Sequence, residues 1–375
     1  MSAPLSLAAH GGQLLQIASR FGIPAERLSD FSANINPAGP PAPVLEAIRR
    51  ALEDPTTLTT YPDLELTELK QAISACIGAA SENIAVANGF APLLDAALRS
   101  LGIRRCLLPV PSFSEYRSGL EKAGVAVIPF HLSQKNGFEY ENDPIRTALH
   151  DHSCDAILLA NPQNPSGVTC DAEKMRELIA MAARHNVTVL LDEAFIDYCP
   201  VASVTPLAID NANLIVFRSV TKFFAVPGLR VAYAAAESSK IQTMSRYIAP
   251  WPIANIASIA VCAALQDRAY AEESRLANDR RHFWLVEQLA QLQIATYPSR
   301  ANFLLLRFPA AVNVSALWER MIVDEQIVLR SCTNFEGLRA EHLRIAVRSG
   351  SENERLIRGL ERAMAKGFIP SRKHI

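Results

Sequence analysis

Short apolar runs recur along the first two thirds of the chain, at residues 84–87, 106–110, 125–130, 156–160, 188–191, 214–217 and 231–236. Each is the length of a buried strand and ends in turn-forming or polar residues. Between them, apolar positions recur with helical spacing. Residues 43–53 place Val44, Ala47, Ile48 and Ala51 on one face, and further helices are expected over 66–77, 93–101, from an opening at residues 111–116 to Ala123, and from Asp171, an N-cap, to His185. Alternation of this kind predicts an α/β protein: a large, mostly parallel sheet with helices on both faces. After a proline-rich stretch at Tyr247-Ile248-Ala249-Pro250-Trp251-Pro252 the pattern changes. A long helical region over 254–292, broken near Asp267, precedes strands at 301–308, 327–330 and 343–347 and helices at 314–324 and 352–365. This second unit reads as a smaller α+β domain joined by the N-terminal segment. The expected division is 42–265 for the large domain, and 1–41 with 266–375 for the small one.

Composition adds limits. A chain of 375 residues is long enough for two domains. Its net charge of −1 leaves no electrostatic footprint for nucleic acid or an anionic membrane. No apolar run approaches the ~20 residues of a membrane helix, and Met1 to Gln16 lacks the basic then apolar pattern of a secretory signal. The seven cysteines are dispersed, without a C-x-x-C pair or metal-ligand spacing. They read as buried thiols in a reducing cytoplasm, and no metal site is expected.

Candidate chemistry gathers where strands end. Asn88, Phe113, Asn164, Asp192 and Lys222 all follow expected strands, and in parallel sheets the crevice beyond the strands' carboxyl ends holds ligands. Lys222 lies in Ser219-Val220-Thr221-Lys222, with Arg230 eight residues on. It reads either as a surface cation or as a desolvated amine that forms a Schiff base. Asp192, in Asp192-Glu193-Ala194, reads as a cap or structural ion pair, or as the carboxylate that keeps a pyridine nitrogen protonated. Together they suit pyridoxal phosphate, an electron sink. On that reading Asn164 bonds the ring's phenolic oxygen and Phe113 stacks on its face. Asn88, Gly89 and Phe90 at a helix N-terminus, with Ser219 and Arg230, take the phosphate. Asn34 and Asn36 lie in Asn-x-Asn-Pro, which is turn chemistry or a set of amides facing a substrate carboxylate. Tyr61, before Pro62, is either packed or presented outward, and His10-Gly11-Gly12 reads as a flexible turn.

Several blocks carry a wider resemblance. They are His10-Gly11-Gly12, residues 30–37, Asn161-Pro162-Gln163-Asn164-Pro165-Ser166-Gly167, and Asp192-Glu193-Ala194-Phe195-Ile196-Asp197. Residues 218–230, Pro250-Trp251, Arg330-Ser331-Cys332 with Asn334-Phe335, and residues 344–349 complete them. Over nearly its whole length the chain resembles the fold-type I pyridoxal-phosphate enzymes. More narrowly, it is similar to the L-threonine-O-3-phosphate decarboxylases of cobalamin biosynthesis, relatives of the histidinol-phosphate aminotransferases. The resemblance implies decarboxylation of L-threonine O-3-phosphate, with transamination of histidinol phosphate or a related amine as the alternative and a catalytically silent scaffold as a third reading. It implies that Lys222 binds the cofactor aldehyde and later returns a proton, that Asp192 pairs with the ring nitrogen, and that Arg344 binds the substrate carboxylate. Arg330, His10 and Asn34 are implied around the substrate phosphate. Tyr61 is expected to reach the cofactor phosphate of a second subunit, which implies a homodimer with shared active sites. Phe195, where the aminotransferase relatives carry tyrosine, favours the decarboxylases. The chain departs from the pattern at Asn88-Gly89-Phe90-Ala91-Pro92-Leu93, where a small or polar residue and then a glutamate usually follow the glycine; Phe90 is bulkier and Pro92 has no N–H to donate, and Gln13 stands where asparagine is common.

Overall fold

Seven apolar runs become the strands of one sheet in the computed structural model, which describes residues 11–365. They are β1 (Ile84–Ala87), β2 (Arg105–Val110), β3 (Ala126–His131), β4 (Ala156–Ala160), β5 (Thr188–Asp192), β6 (Leu214–Ser219) and β7 (Ala232–Ala235). The spatial order is β1-β7-β6-β5-β4-β2-β3. Neighbours from β3 to β6 pair in parallel, whereas β7 runs antiparallel to both β1 and β6. That reversal has a simple cause. The β6–β7 connection, residues 220–231, holds turns and the short 3-10 helix Pro227–Leu229 but no α-helix of the kind that usually carries a parallel crossover.

Successive residues of the inner strands alternate between two cores. Leu107, Ile157, Leu159, Val189, Leu191 and Val216 enter one, while Cys106, Leu108, Leu158, Leu190, Ile215 and Phe217 enter the other. Both faces are therefore covered, as a largely parallel sheet requires. The helices Asn142–Asp151 and Ser238–Ser245 add to this covering beyond those expected from periodicity. The break near Asp267 separates helices Asn255–Gln266 and Arg268–Gln291, and the Asp267 side chain caps the second by accepting from Tyr270 N at 2.9 Å.

A second sheet pairs strand Phe303–Arg307 with His342–Ala346, flanked by Arg330–Ser331 and Ala295–Thr296. The strand expected over 327–330 is split. Ile327–Val328 pairs in parallel with Ser29–Asp30 of the N-terminal segment, and Arg330–Ser331 joins the other sheet. Between them Trp318 Nε1 takes the Leu329 carbonyl at 2.8 Å, so that group is lost to either ladder. We propose the domain boundary at 42–265 against 1–41 with 266–375. Helix Arg268–Gln291 begins just past it and touches both cores, with Tyr270 and Ala271 against the large core and Leu285 and Leu289 in the small one.

Candidate active site

Asp192 is the last residue of β5, and its backbone pairs with Phe217 of β6. Its side chain is buried at 7 % exposure. Tyr116 OH donates to Oδ2 at 2.6 Å, and Ala194 N donates to Oδ1 at 2.8 Å. Burial pushes the Asp192 pKa up, against the Tyr116 hydrogen bond, the charge of Lys222 and the Ala194 N–H, which hold it down. A carboxylate with two donors and a cation nearby is prepared to face a further cationic N–H.

Lys222 sits in the loop after β6. Its Nζ donates to Ser219 Oγ at 3.1 Å, and that hydroxyl also meets Thr221 Oγ1 at 2.8 Å. Burial lowers the Lys222 pKa; Asp192 opposes this and Arg230 adds to it. An amine that sheds its proton more easily than free lysine is a better nucleophile. Asn36 fixes the loop from outside the cavity: its N–H donates to Lys222 O at 3.1 Å and its amide to Phe223 O at 2.9 Å. The second asparagine of Asn-x-Asn-Pro is thus structural. The first, Asn34, lines the cavity, and its buried Oδ1 has no hydrogen-bond partner among the described residues.

Gly89 ends the turn after β1 and precedes helix Phe90–Leu101, which starts earlier than periodicity suggests and carries Pro92 in its first turn. Gly89 has φ +91°, and a Cβ there would lie 2.9 Å from Arg230 Nη2. The guanidinium therefore closes on bare backbone, leaving helix N–H groups and an arginine around one small space. Phe90 fills the position where a smaller residue was expected and packs 5.2 Å from Phe217 and 5.5 Å from Tyr116, centroid to centroid.

Arg330 and Arg344, at 4 % and 5 % exposure, are buried cations of the same site. Arg344 Nη1 donates to Asn164 Oδ1 at 2.5 Å and Nη2 to Ser32 O at 3.0 Å, while its buried Nε has no partner among the described residues. Burial, with Arg330 adding, pushes the Arg344 pKa down to about 10. Arg330 donates to Ser331 O at 2.6 Å and Asn334 Oδ1 at 2.8 Å, and its guanidinium stands 5.1 Å from the Phe335 ring.

One cavity of about 480 Å³ joins these groups. Phe113, Asn164, Asp192, Ser219, Lys222 and Arg230 line it, as do Gly89, Phe90, Asn34, Arg330 and Arg344. Asn88, expected at the cofactor phosphate, is exposed at the turn after β1 and is not among its lining residues. Tyr61 is 79 % exposed, stands 4.7 Å from the Trp251 ring, and lies outside this cavity. His10 falls outside the described residues. Tyr116, Thr221, Ser32 and Phe335 also line the cavity, and sequence reading did not assign them there. The spacing of Phe113 and Tyr116, three apart at a helix start, was the available signal for the first of these. The donor set fits pyridoxal phosphate: a buried carboxylate, an amine of lowered pKa, and a phosphate-sized cradle that a side chain at position 89 would obstruct.

A model of the family "Aminotransferase class I and II" matches residues 26–362. The chain belongs to that family. Among curated aminotransferase-family relatives, the threonine-phosphate decarboxylase of Salmonella typhimurium is 32 % identical over 368 residues, covering 97 % of this chain and 98 % of that one. Among solved structures, the histidinol-phosphate aminotransferase of Clostridium acetobutylicum superposes with a TM-score of 0.83 at 28 % identity, covering 90 % of this chain and 99 % of the other. The histidinol-phosphate aminotransferase of Sinorhizobium meliloti in complex with pyridoxal 5'-phosphate gives a TM-score of 0.83 at 22 % identity, over 98 % and 99 % of the two chains. The shared architecture is fold-type I of this aminotransferase class.

Proposed function

We propose that this enzyme decarboxylates L-threonine O-3-phosphate to (R)-1-amino-2-propanol O-2-phosphate, for cobalamin biosynthesis, with pyridoxal phosphate as cofactor. The observation that carries the reading is the pair Arg330 and Arg344, both buried, cross-strand neighbours, and lining the same cavity as Asp192 and Lys222. Two cations at fixed separation suit an amino acid that bears a second anion. The similarity to threonine-phosphate decarboxylase along almost the whole chain supports the same substrate.

Lys222 would hold the cofactor's aldehyde carbon, Asp192 its ring nitrogen and Asn164 its phenolic oxygen. Phe113 would cover its face, and Gly89, Phe90, Ser219 and Arg230 would hold its phosphate. Pyridoxal phosphate, when bound, supplies an electron sink for the bond broken at the substrate's α-carbon. Arg344 binds the substrate carboxylate and fixes its direction, backed by Asn164 and the Ser32 carbonyl. Arg330, Asn34 and His10 take the substrate phosphate. Lys222, held by Ser219 and eased toward its neutral form by burial, returns a proton from Nζ to the carbon that has lost carbon dioxide. Phe195, whose ring lies 5.8 Å from Lys222 Nζ, leaves an apolar wall where a tyrosine would add a hydroxyl.

The exposed Tyr61 supports a homodimer in which its phenol serves the partner's cofactor phosphate. Seven unpaired cysteines support a cytoplasmic location. Among the described residues no helix is long and apolar enough to cross a membrane. Product analysis tests the function. Incubation with L-threonine phosphate and L-serine phosphate in parallel is expected to release carbon dioxide and the phosphorylated amine, faster from the former. Turnover that depends on an added keto acid, without carbon dioxide, would establish the aminotransferase instead.

A further inference from the structure

Tyr116 is held on every side. Its side chain is 2 % exposed, its ring stands at 90° to that of Phe113 with centroids 5.5 Å apart, and Phe90 packs on it from 5.5 Å. Phe90, the first residue of helix Phe90–Leu101, thus meets the phenol carried by helix Ser114–Lys122. The single polar atom of the ring is aimed at Asp192 Oδ2, 2.6 Å away.

We propose that Tyr116 is a positioning residue that keeps the charge of Asp192 on its carboxylate, so that the proton shared with the cofactor's ring nitrogen resides on the nitrogen. The proposal deepens the pyridoxal-phosphate reading and rests on it. A proton between a carboxylate and a pyridine nitrogen goes to whichever is the stronger base in that surrounding. Burial strengthens the carboxylate as a base, because its charged form loses water. Every hydrogen bond donated to the carboxylate weakens it again. The phenol's bond is short and charge-assisted, the stronger kind. Ala194 N–H supplies the second such bond and Lys222 a facing positive charge. Tyr116 cannot itself give up the proton, since burial and the neighbouring Asp192 push its own ionisation well above the usual phenol range. Tyr140, the other phenol facing this group, is committed elsewhere: its hydroxyl donates to Ala160 O at 2.9 Å and accepts from Ala160 N at 3.2 Å. Removing the Tyr116 hydroxyl alone therefore shifts the balance toward a neutral acid and a neutral ring, which is a poorer electron sink.

The test uses the full-length holoprotein and Tyr116→Phe, which retains the ring and loses the hydroxyl. Both are loaded with pyridoxal phosphate labelled with 15N in the ring, and the nitrogen's chemical shift is read by NMR beside kcat and KM for L-threonine phosphate. The expected result is a protonated-ring shift in the wild type, displaced toward neutral pyridine in the variant. kcat should fall about ten- to hundredfold at nearly constant KM, the scale of one hydrogen bond to a charged group. In the cofactor-free proteins, 13C-aspartate NMR should show Asp192 titrating at higher pH in the variant. An unchanged ring-nitrogen shift in a cofactor-loaded variant, or an unchanged Asp192 titration, overturns the proposal alone. A wild type that does not retain pyridoxal phosphate at Lys222 overturns the functional reading and the proposal together.

Discussion

Arg330 and Arg344 stand directly opposite each other across two antiparallel strands, and both are buried. Like charges in that relation destabilise a sheet, and burial of each adds to the cost. An anion between them removes both penalties. Inorganic phosphate is therefore expected to stabilise the cofactor-free protein in a concentration-dependent way, by about 2.7 kcal/mol at a hundredfold excess over Kd. Arg330→Gln should lose most of this response. Without phosphate it should be no less stable than the wild type, because a buried cation has been removed. Thermal unfolding with and without phosphate checks both, and a flat phosphate response in the wild type would count against an anion site here.

Asp192 supplies a pH prediction. Its folded-state pKa lies above the unfolded value, so between the two the folded protein binds more protons and stability falls as pH rises. Above the raised pKa the full cost of the buried carboxylate is present; below the ordinary aspartate range it is gone. Asp192→Asn should therefore be the more stable cofactor-free protein at neutral pH, with the gap closing as pH falls through the raised pKa. The same variant should lose several orders of magnitude in turnover. Urea unfolding at a series of pH values decides the stability half, and a gap that widens toward acid would reverse the sign.

The strand ends were legible because their apolar runs are short, buried on both faces and cut off by turn residues. That alone brought Phe113, Asn164, Asp192 and Lys222 to one edge of one sheet. Arg330 and Arg344 were named through resemblance, since nothing in their local spacing marks them as cross-strand neighbours. Other features depend on tertiary partners that local pattern does not contain. Tyr116 looks like any aromatic on an amphipathic helix until Asp192, on another strand, meets its hydroxyl. Asn36 and Asn34 share one motif but face opposite ways, one toward the Lys222 loop and one into the cavity. The direction of β7 follows from a connection that lacks a crossover α-helix, while its apolar run resembles those of the parallel strands.

Lys222→Ala should abolish turnover and leave no cofactor trapped by borohydride. Tyr61→Phe should weaken cofactor retention while its own chain keeps Lys222 intact. Because Tyr61 is exposed and lies outside its own chain's cavity, co-refolding the two variants should restore partial activity through sites that draw the tyrosine and the lysine from different chains. Activity of the mixture, compared with each variant refolded alone, is the measurement. No recovery would argue against sharing, and a fully active Lys222→Ala would remove the covalent role.

Gly167 closes the Asn-Pro-x-Asn-Pro-Ser-Gly loop at φ +75°, where an L side chain is strained. The loop meets Ser299 there: Val168 bridges to Ser299, and Arg300 N donates to Gly167 O at 3.0 Å. A Cβ on residue 167 would lie 2.1 Å from Ser299 Oγ and 2.5 Å from Ser299 Cβ, so the two segments would have to part. Gly167→Ala is expected to cost about 2–4 kcal/mol from backbone strain and overpacking together. The same loop carries Asn164, which holds Arg344, so KM for the phosphorylated substrate should rise as well. Adding Ser299→Gly removes the clash but not the strain, and it also removes the Ser299 hydroxyl bonds to Phe303 O and Ala301 N. The double variant should consequently recover only part of the loss, and less than the sum of the two single effects should remain. Strict additivity of the two substitutions would show that the contact between these segments does not set the loop's position.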